Sequence, residues 1–303
     1  MSRIHEALKK AAEERAAITG VETPVEIPAD PTALTAAAPR AVPAHPPVDL
    51  STLPLTLERL REGCTHPRWT PDAEKMIFFG SHGHTPGTEE LRTLRSRLYQ
   101  LRDRAPLKTV LITSALPAEG KSFIASNLAQ VIVRQHERHA LLIDADLRWS
   151  RLHLNFGAPA GPGLTDYLSG EASLFDVVQQ SPQENLFFIP GGKAASNPAE
   201  LISNGRLKKL LDQCSPLFDW IILDSPPVVP VADASTLADM CDGVLLVVRA
   251  ASTPADMAQK ARTEFRDKGL LGVVFNQIQA GEGYHSYYYH YYGDKAKNGS
   301  KSK

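Results

Sequence analysis

Residues 108–122, Lys-Thr-Val-Leu-Ile-Thr-Ser-Ala-Leu-Pro-Ala-Glu-Gly-Lys-Ser, constrain the fold more than any other stretch of the chain. Val110, Leu111 and Ile112 read as a buried strand, and the apolar pattern from Phe123 to Val133 reads as the helix that follows it. Between them the chain turns and ends in Gly120-Lys121-Ser122. A polyphosphate needs converging backbone N–H groups at a helix N-terminus, a lysine cation on the β/γ oxygens and a hydroxyl on Mg²⁺, and these three residues supply those parts. In G-x-x-x-x-G-K-[ST] the first glycine would fall at position 115, which is Ala115, and another frequent glycine position holds Ala118. If either backbone needs a positive φ, alanine there costs about 1 kcal/mol.

Two further strands end in acid. Ala140 to Asp144 runs on through Asp146 and Arg148, and Trp220 to Asp224 repeats the pattern of an apolar run closed by a carboxylate. In a parallel sheet with helices on both faces, strand C-termini collect at the edge where the phosphate loop also lies. Three acids beside a polyphosphate then call for Mg²⁺ between them, since their mutual repulsion would otherwise be uncompensated. Strands at Leu186–Ile189, Gly243–Arg249 and Leu270–Asn276, with helices across about 198–211 and 254–268, complete some six β/α units. The pattern predicts an α/β fold with a doubly wound, mostly parallel sheet over about 85–280.

The flanks differ in character. Residues 1–17 place Ile4, Ala7, Leu8 and Ala11 at helical spacing, an N-terminal amphipathic helix too short to stand alone in water. Residues 18–50 form a flexible linker in which Thr23 to Pro47 carries seven prolines. Residues 51–84 are a poorly defined connector, with a helix expected from Leu53 to Leu60 and loop around His82 and His84; no Cys or carboxylate beside that pair points to metal. Glu89 to Leu101 is an amphipathic helix with Leu91, Leu94, Leu98 and Leu101 on one face and Glu89, Arg92 and Arg95 on another.

Residues 281–303 form a tyrosine-rich mobile tail. Tyr284, Tyr287, Tyr288, Tyr289, Tyr291 and Tyr292 are six of the chain's eight tyrosines, set within nine residues. A base-stacking platform and a low-complexity adhesive end are alternatives; phosphate acceptors better explain a cluster of hydroxyl-bearing tyrosines without Phe or Trp. A net charge of −1 gives no support to a generally basic nucleic-acid binder, and none is expected as a partner. Cys64, Cys214 and Cys241 are odd in number and far apart, which fits a reducing compartment, and no run approaches the ~20 apolar residues of a membrane span. A cytoplasmic protein is expected.

With phosphate loop, Asp-x-Asp strand, second acidic strand and tyrosine cluster together, the chain resembles the bacterial tyrosine kinases of capsule and exopolysaccharide export. The Met1–Arg15 opening looks like the separate, soluble branch associated with exosortase-type systems. The similarity covers residues 1–17 and about 85–292. It implies a phosphate-loop NTPase of the Asp-x-Asp, partition-ATPase-like type that uses ATP and Mg²⁺ as an autokinase. By that resemblance Ala118, Glu119, Gly120, Lys121, Ser122 and Phe123 bind the nucleotide, with Asn276 at the adenine edge. Ser122, Asp144 and Asp224 organise Mg²⁺, and Asp144 or Asp146 accepts the tyrosyl proton. Glu89, Arg92 and Arg95 match the family's Glu-x-x-Arg-x-x-Arg segment, which implies a homo-oligomeric ring whose subunits phosphorylate each other's tails. It further implies a separate transmembrane chain-length protein as activator, holding the kinase at the inner face of the cytoplasmic membrane, and a tyrosine phosphatase that resets the cycle. Two competing readings are a partition- or division-site-type ATPase and a silent nucleotide-binding adaptor. The first carries a signature lysine five residues before the loop lysine, where this chain has Leu116; the full set of acids counts against the second.

Overall fold

The structure, a computed structural model, describes residues 54–78, 87–183 and 185–278. The helix expected over 1–17, the linker, His82, His84 and the six clustered tyrosines lie outside the described residues. Among the described residues two helices precede the sheet, α1 (Leu57–Gly63) and α2 (Thr88–Arg102). Then follow β1 (Thr109–Ser114), α3 (Lys121–Val133) and β2 (Ala140–Asp144). Three short helices, α4 (Leu152–Phe156), α5 (Leu164–Ser169) and α6 (Leu174–Val177), lead into β3 (Gln179–Gln180) and β4 (Leu186–Ile189). The remainder is α7 (Pro198–Ser203), α8 (Arg206–Cys214), β5 (Trp220–Asp224), α9 (Asp233–Ala238), β6 (Gly243–Arg249), α10 (Ala255–Glu264) and β7 (Leu270–Asn276).

The seven strands lie in the order β3-β4-β2-β5-β1-β6-β7. Every neighbouring pair is parallel except β3 with β4, so the sheet is doubly wound and mostly parallel as expected. Helices cover both faces, which is why the central strands read as unbroken apolar runs rather than alternating ones. Alternation reappears in which face each residue serves. Leu111, Leu141, Ile143, Phe187, Ile221 and Leu223 pack with Ile202 of α7, Leu207, Leu210 and Leu211 of α8 and Leu237 of α9. Val110, Ile112, Leu142, Phe188 and Ile222 pack with Leu91 and Leu98 of α2 and Ile124, Leu128 and Ile132 of α3.

Two boundaries differ from the sequence expectation. Residues 54–78 belong to the packed unit: Leu60, Trp69, Met76 and Phe78 are buried, and Trp69 packs tilted against Phe156 and edge-on to Phe188, with centroids 4.9 and 5.9 Å away. The Thr65 N–H donates to Val178 O at 3.0 Å, and the Gln180 N–H to Thr65 O at 2.8 Å. The helix expected from 198 to 211 is two helices broken at Asn204-Gly205, where Gly205 takes φ 82°. Among the described residues, no helix is long and apolar enough to cross a membrane.

Candidate active site

Because β1, β2 and β5 run parallel side by side, the loop after β1 and the acids closing the other two strands meet at one edge. The loop is braced from several directions. Glu119 is buried, and its carboxylate accepts the Leu116 N–H at 2.8 Å and the Thr253 hydroxyl. Asn276, the last residue of β7, donates its side-chain amide to Glu119 O at 2.9 Å. Gly120 (φ 91°) is the residue before α3, and a Cβ there would fall 2.0 Å from Asn276 Nδ2, so both conformation and space demand glycine. Ala118 also lies in the left-handed region, at φ 62°, so the alanine penalty foreseen for this loop falls on Ala118; Ala115 is buried in the core. Phe123, in the first turn of α3, packs on the sheet's second face.

Lys121 opens α3 and projects into the acids. Its Nζ lies 3.0 Å from Asp146 Oδ2 and 3.9 Å from Asp224 Oδ1, and 3.5 Å from Ser122 Oγ. Burial alone would depress the ammonium, but Asp224, Asp146 and Asp144 outweigh it and hold the pKa above its ordinary value. Asp144 accepts the Ser150 hydroxyl at 2.7 Å and the Leu152 N–H at 3.0 Å through Oδ2, and the Asp146 N–H at 3.2 Å through Oδ1. Asp146 accepts the Trp149 N–H at 3.0 Å. The sequence-predicted Lys121, Ser122, Asp144, Asp146 and Asp224 therefore form one cluster.

That cluster is short of positive charge. Burial, then the neighbouring Asp224 carboxylate, pushes Asp144 up to about 7 despite its hydrogen bonds from Ser150 and Leu152. Burial also raises Asp224, although the Lys121 cation and the Ser122 hydroxyl pull it back. Asp224 Oδ1 is buried with no hydrogen-bond partner among the described residues. A buried carboxylate oxygen that accepts no hydrogen bond, beside a second carboxylate, fits a divalent cation. Among the described residues no three His, Cys, Asp or Glu side chains form a ready-made metal cage. Mg²⁺ does not require one, because it binds through one or two carboxylates, waters and the substrate's phosphates. Asp144, Asp224 and the Ser122 hydroxyl are the groups that would hold it.

Other residues singled out by the sequence have local partners. Arg148 forks onto Asp233 of α9, with Nε 2.6 Å from Oδ2 and Nη2 3.0 Å from Oδ1. On α2, Glu89 pairs with Arg92, and Arg95 donates to Val131 O at 2.8 Å. Sequence reasoning missed Ser150, Thr253 and Asp233, which carry no motif: Ser150 turns back onto Asp144 from the loop after β2, and Thr253 and Asp233 act from distant positions brought close by the crossovers.

A Gly-Lys-Ser turn heading a helix, beside three carboxylates on a doubly wound sheet, defines a phosphate-loop nucleotide-binding protein. No protein-family model matches the chain. It is 37% identical over 210 residues to the tyrosine-protein kinase YwqD of Bacillus subtilis, spanning 69% of this chain and 87% of that one. It is 36% identical over 174 residues to the tyrosine-protein kinase CpsD of Streptococcus agalactiae, spanning 56% of this chain and 75% of that one. Against the tyrosine-protein kinase ptk of Acinetobacter johnsonii identity is 36%, but the match spans only 26% of that longer protein. Among solved structures, the kinase domain of the Escherichia coli tyrosine kinase ETK superposes with a TM-score of 0.61 at 26% identity, covering 72% of this chain and 92% of that one. The septum site-determining protein MinD of Pyrococcus horikoshii, at a TM-score of 0.50 and 22% identity over 58% of this chain and 72% of that one, shares the fold. The chain belongs to the bacterial tyrosine kinase family, and its enzyme class is protein-tyrosine kinase; a partition-type ATPase is not favoured.

Proposed function

We propose that this kinase transfers the γ-phosphoryl group of ATP to Tyr284, Tyr287, Tyr288, Tyr289, Tyr291 and Tyr292 of a second copy of itself, and thereby regulates exopolysaccharide or capsule polymerisation and export. The observation that carries the reading is the Lys121 ammonium held between Asp146 and Asp224 at the mouth of the phosphate loop. With nucleotide bound, the polyphosphate would replace those carboxylates as partner to Lys121, and the amides of Ala118 to Ser122 would receive its oxygens. Asp144, Asp224 and Ser122 would hold a divalent cation, whose charge would neutralise that developing at the transferred group. The phenol oxygen forms the new O–P bond as the bond to the β-phosphate oxygen breaks; ADP leaves, and the phenolic proton passes to Asp144 or Asp146. Asn276 faces the adenine edge of the nucleotide and, through its bond to Glu119 O, also braces the loop.

The wider reading adds a ring assembled through Glu89, Arg92 and Arg95, an activating transmembrane chain-length protein that keeps the kinase at the inner membrane face, and a phosphatase. Each tail phosphate adds about −1.5 to −2 charges, so successive transfers would drive subunits apart and end the round. Mass spectrometry of the full chain incubated with Mg-ATP tests the core of it. Phosphate is expected on residues 284–292 and absent in Lys121→Met; released phosphate with an unmodified segment would mark a simple ATPase.

A further inference from the structure

Just past the carboxylates, the loop after β2 carries groups that phosphate handling leaves unused. The Trp149 side chain is 66% exposed, although the chain's other two tryptophans, Trp69 and Trp220, are buried. It is nonetheless anchored, since its backbone N–H is the 3.0 Å donor to Asp146 Oδ1. The Arg151 guanidinium lies over the indole, 5.1 Å from the ring centroid, which orients the ring without removing it from solvent. Between them Ser150 donates to Asp144 at 2.7 Å.

These residues, with Arg148, Gly192 and Ala194, line a cleft of about 210 Å³. Its wall lies one hydrogen bond from a reacting carboxylate, because Ser150, which lines the cleft, is the donor to Asp144 Oδ2. A side chain entering this cleft thus meets an indole and a cation at the rim, and on the wall Ser150, whose hydroxyl is bonded to Asp144. An aromatic ring ending in a hydroxyl suits both, because offset aromatic pairs attract beyond their area burial while Ser150 offers the hydroxyl a polar partner.

We propose that Trp149 and Arg151 form the docking platform for an incoming tyrosine of the 284–292 segment of a second copy of this chain, and that this platform sets the preference for tyrosine-rich acceptors. The inference rests on reading that segment as the acceptor. Its composition matches the cleft, with six tyrosines and two histidines in nine residues and no acid to compete for Arg151.

The test uses the full chain as enzyme and a synthetic peptide of residues 281–293 as acceptor, at saturating Mg-ATP. Trp149→Ala is expected to raise the peptide KM about tenfold with kcat within about twofold, the signature of lost uniform binding. Trp149→Phe should recover most of the affinity, and Arg151→Ala should raise KM about threefold with Arg151→Lys between. Nucleotide affinity, read with a fluorescent ATP analogue, should stay within about twofold throughout. An unchanged peptide KM in Trp149→Ala overturns the proposal, as does a parallel loss of nucleotide affinity, which would mark a merely structural residue. Calorimetric binding of the unreacted peptide separates the two readings. If the wild type binds the peptide through Trp149 yet never phosphorylates it, the platform stands and the kinase assignment of the segment falls; if the wild type does not bind it, the platform falls.

Discussion

At Ala118 the phosphate loop carries a side chain where its backbone favours none. Its φ of 62° is one an L-residue adopts at a cost of roughly 1 kcal/mol, and the neighbouring Gly120 shows that this loop uses glycine where it can. Ala118→Gly should therefore stabilise the folded chain by up to about 1 kcal/mol, less what glycine loses in unfolded-state entropy. Urea denaturation of the two proteins checks it, and a destabilised variant would mean that the Ala118 methyl packs usefully. The departure from the motif was readable in the sequence; which alanine bears the strain was not, because φ depends on how Glu119 is tethered to Leu116 and Thr253. The same division runs through the site. Lys121, Ser122, Asp144, Asp146 and Asp224 stand at strand and helix ends, where chain order alone places them. Ser150, Asp233 and Thr253 act across 6, 85 and 134 residues of separation, and no local pattern announces such partners.

Among the elements, Asp219, one residue before β5, is a shared junction. Its carboxylate accepts the His139 N–H at 2.9 Å, at the entrance to β2, and pairs with Arg138 at 2.7 Å; its carbonyl accepts Arg102 of α2 at 2.9 Å. Burial pushes this carboxyl up, but the His139 N–H and the Arg138 and Arg102 cations outweigh burial and leave its pKa below the usual value. A folded pKa below the unfolded one contributes stability above the unfolded value of about 3.9, and that stability is lost as pH falls through the folded value. Asp219→Asn should thus cost about 1–2 kcal/mol at pH 7, where a charge-assisted pair and bond are lost, and progressively less as pH falls below 4. Urea midpoints at pH 7 and pH 3 measure this, and an equal deficit at both would refute the ionic account. Elements of strong period were legible in advance: α2, α3 and the central strands lie within a residue or two of their expected bounds. Residues 54–78 were not, since Trp69, Met76 and Phe78 reach the core from an aperiodic segment whose only helix is the seven-residue α1. The break at Gly205 was also hidden, because Asn204 turns out of the helix to donate to Leu168 O at 3.0 Å, a contact from another element.

For the whole molecule the open question is whether α2 serves its own chain or a neighbour, and its two arginines give opposite answers. Arg95 is committed inward: it donates to Val131 O near the C-terminus of α3, and burial lowers its pKa. Arg92 is paired with Glu89 on a surface where both side chains are about 40% exposed, at 41% and 43%. An exposed ion pair of this kind contributes about 0–1 kcal/mol to folding, whereas a charge-assisted bond to a buried carbonyl contributes about 1.5–3 kcal/mol before its partial exposure is discounted. Replacing all three residues at once would therefore confound assembly with stability. Arg92→Ala alone should leave the melting temperature within about 2 °C of wild type, while Arg95→Ala should lower it by several degrees. If the ring forms through this helix, Arg92→Ala shifts the molecular mass seen by multi-angle light scattering toward the single chain while its fold is untouched. Trans-phosphorylation of the tyrosine segment should then fall with the assembled fraction, because each active site would take its acceptor from an adjacent copy. A variant that stays assembled, or one that disassembles yet phosphorylates itself at an undiminished and concentration-independent rate, would confine Glu89 and Arg92 to the surface of their own subunit.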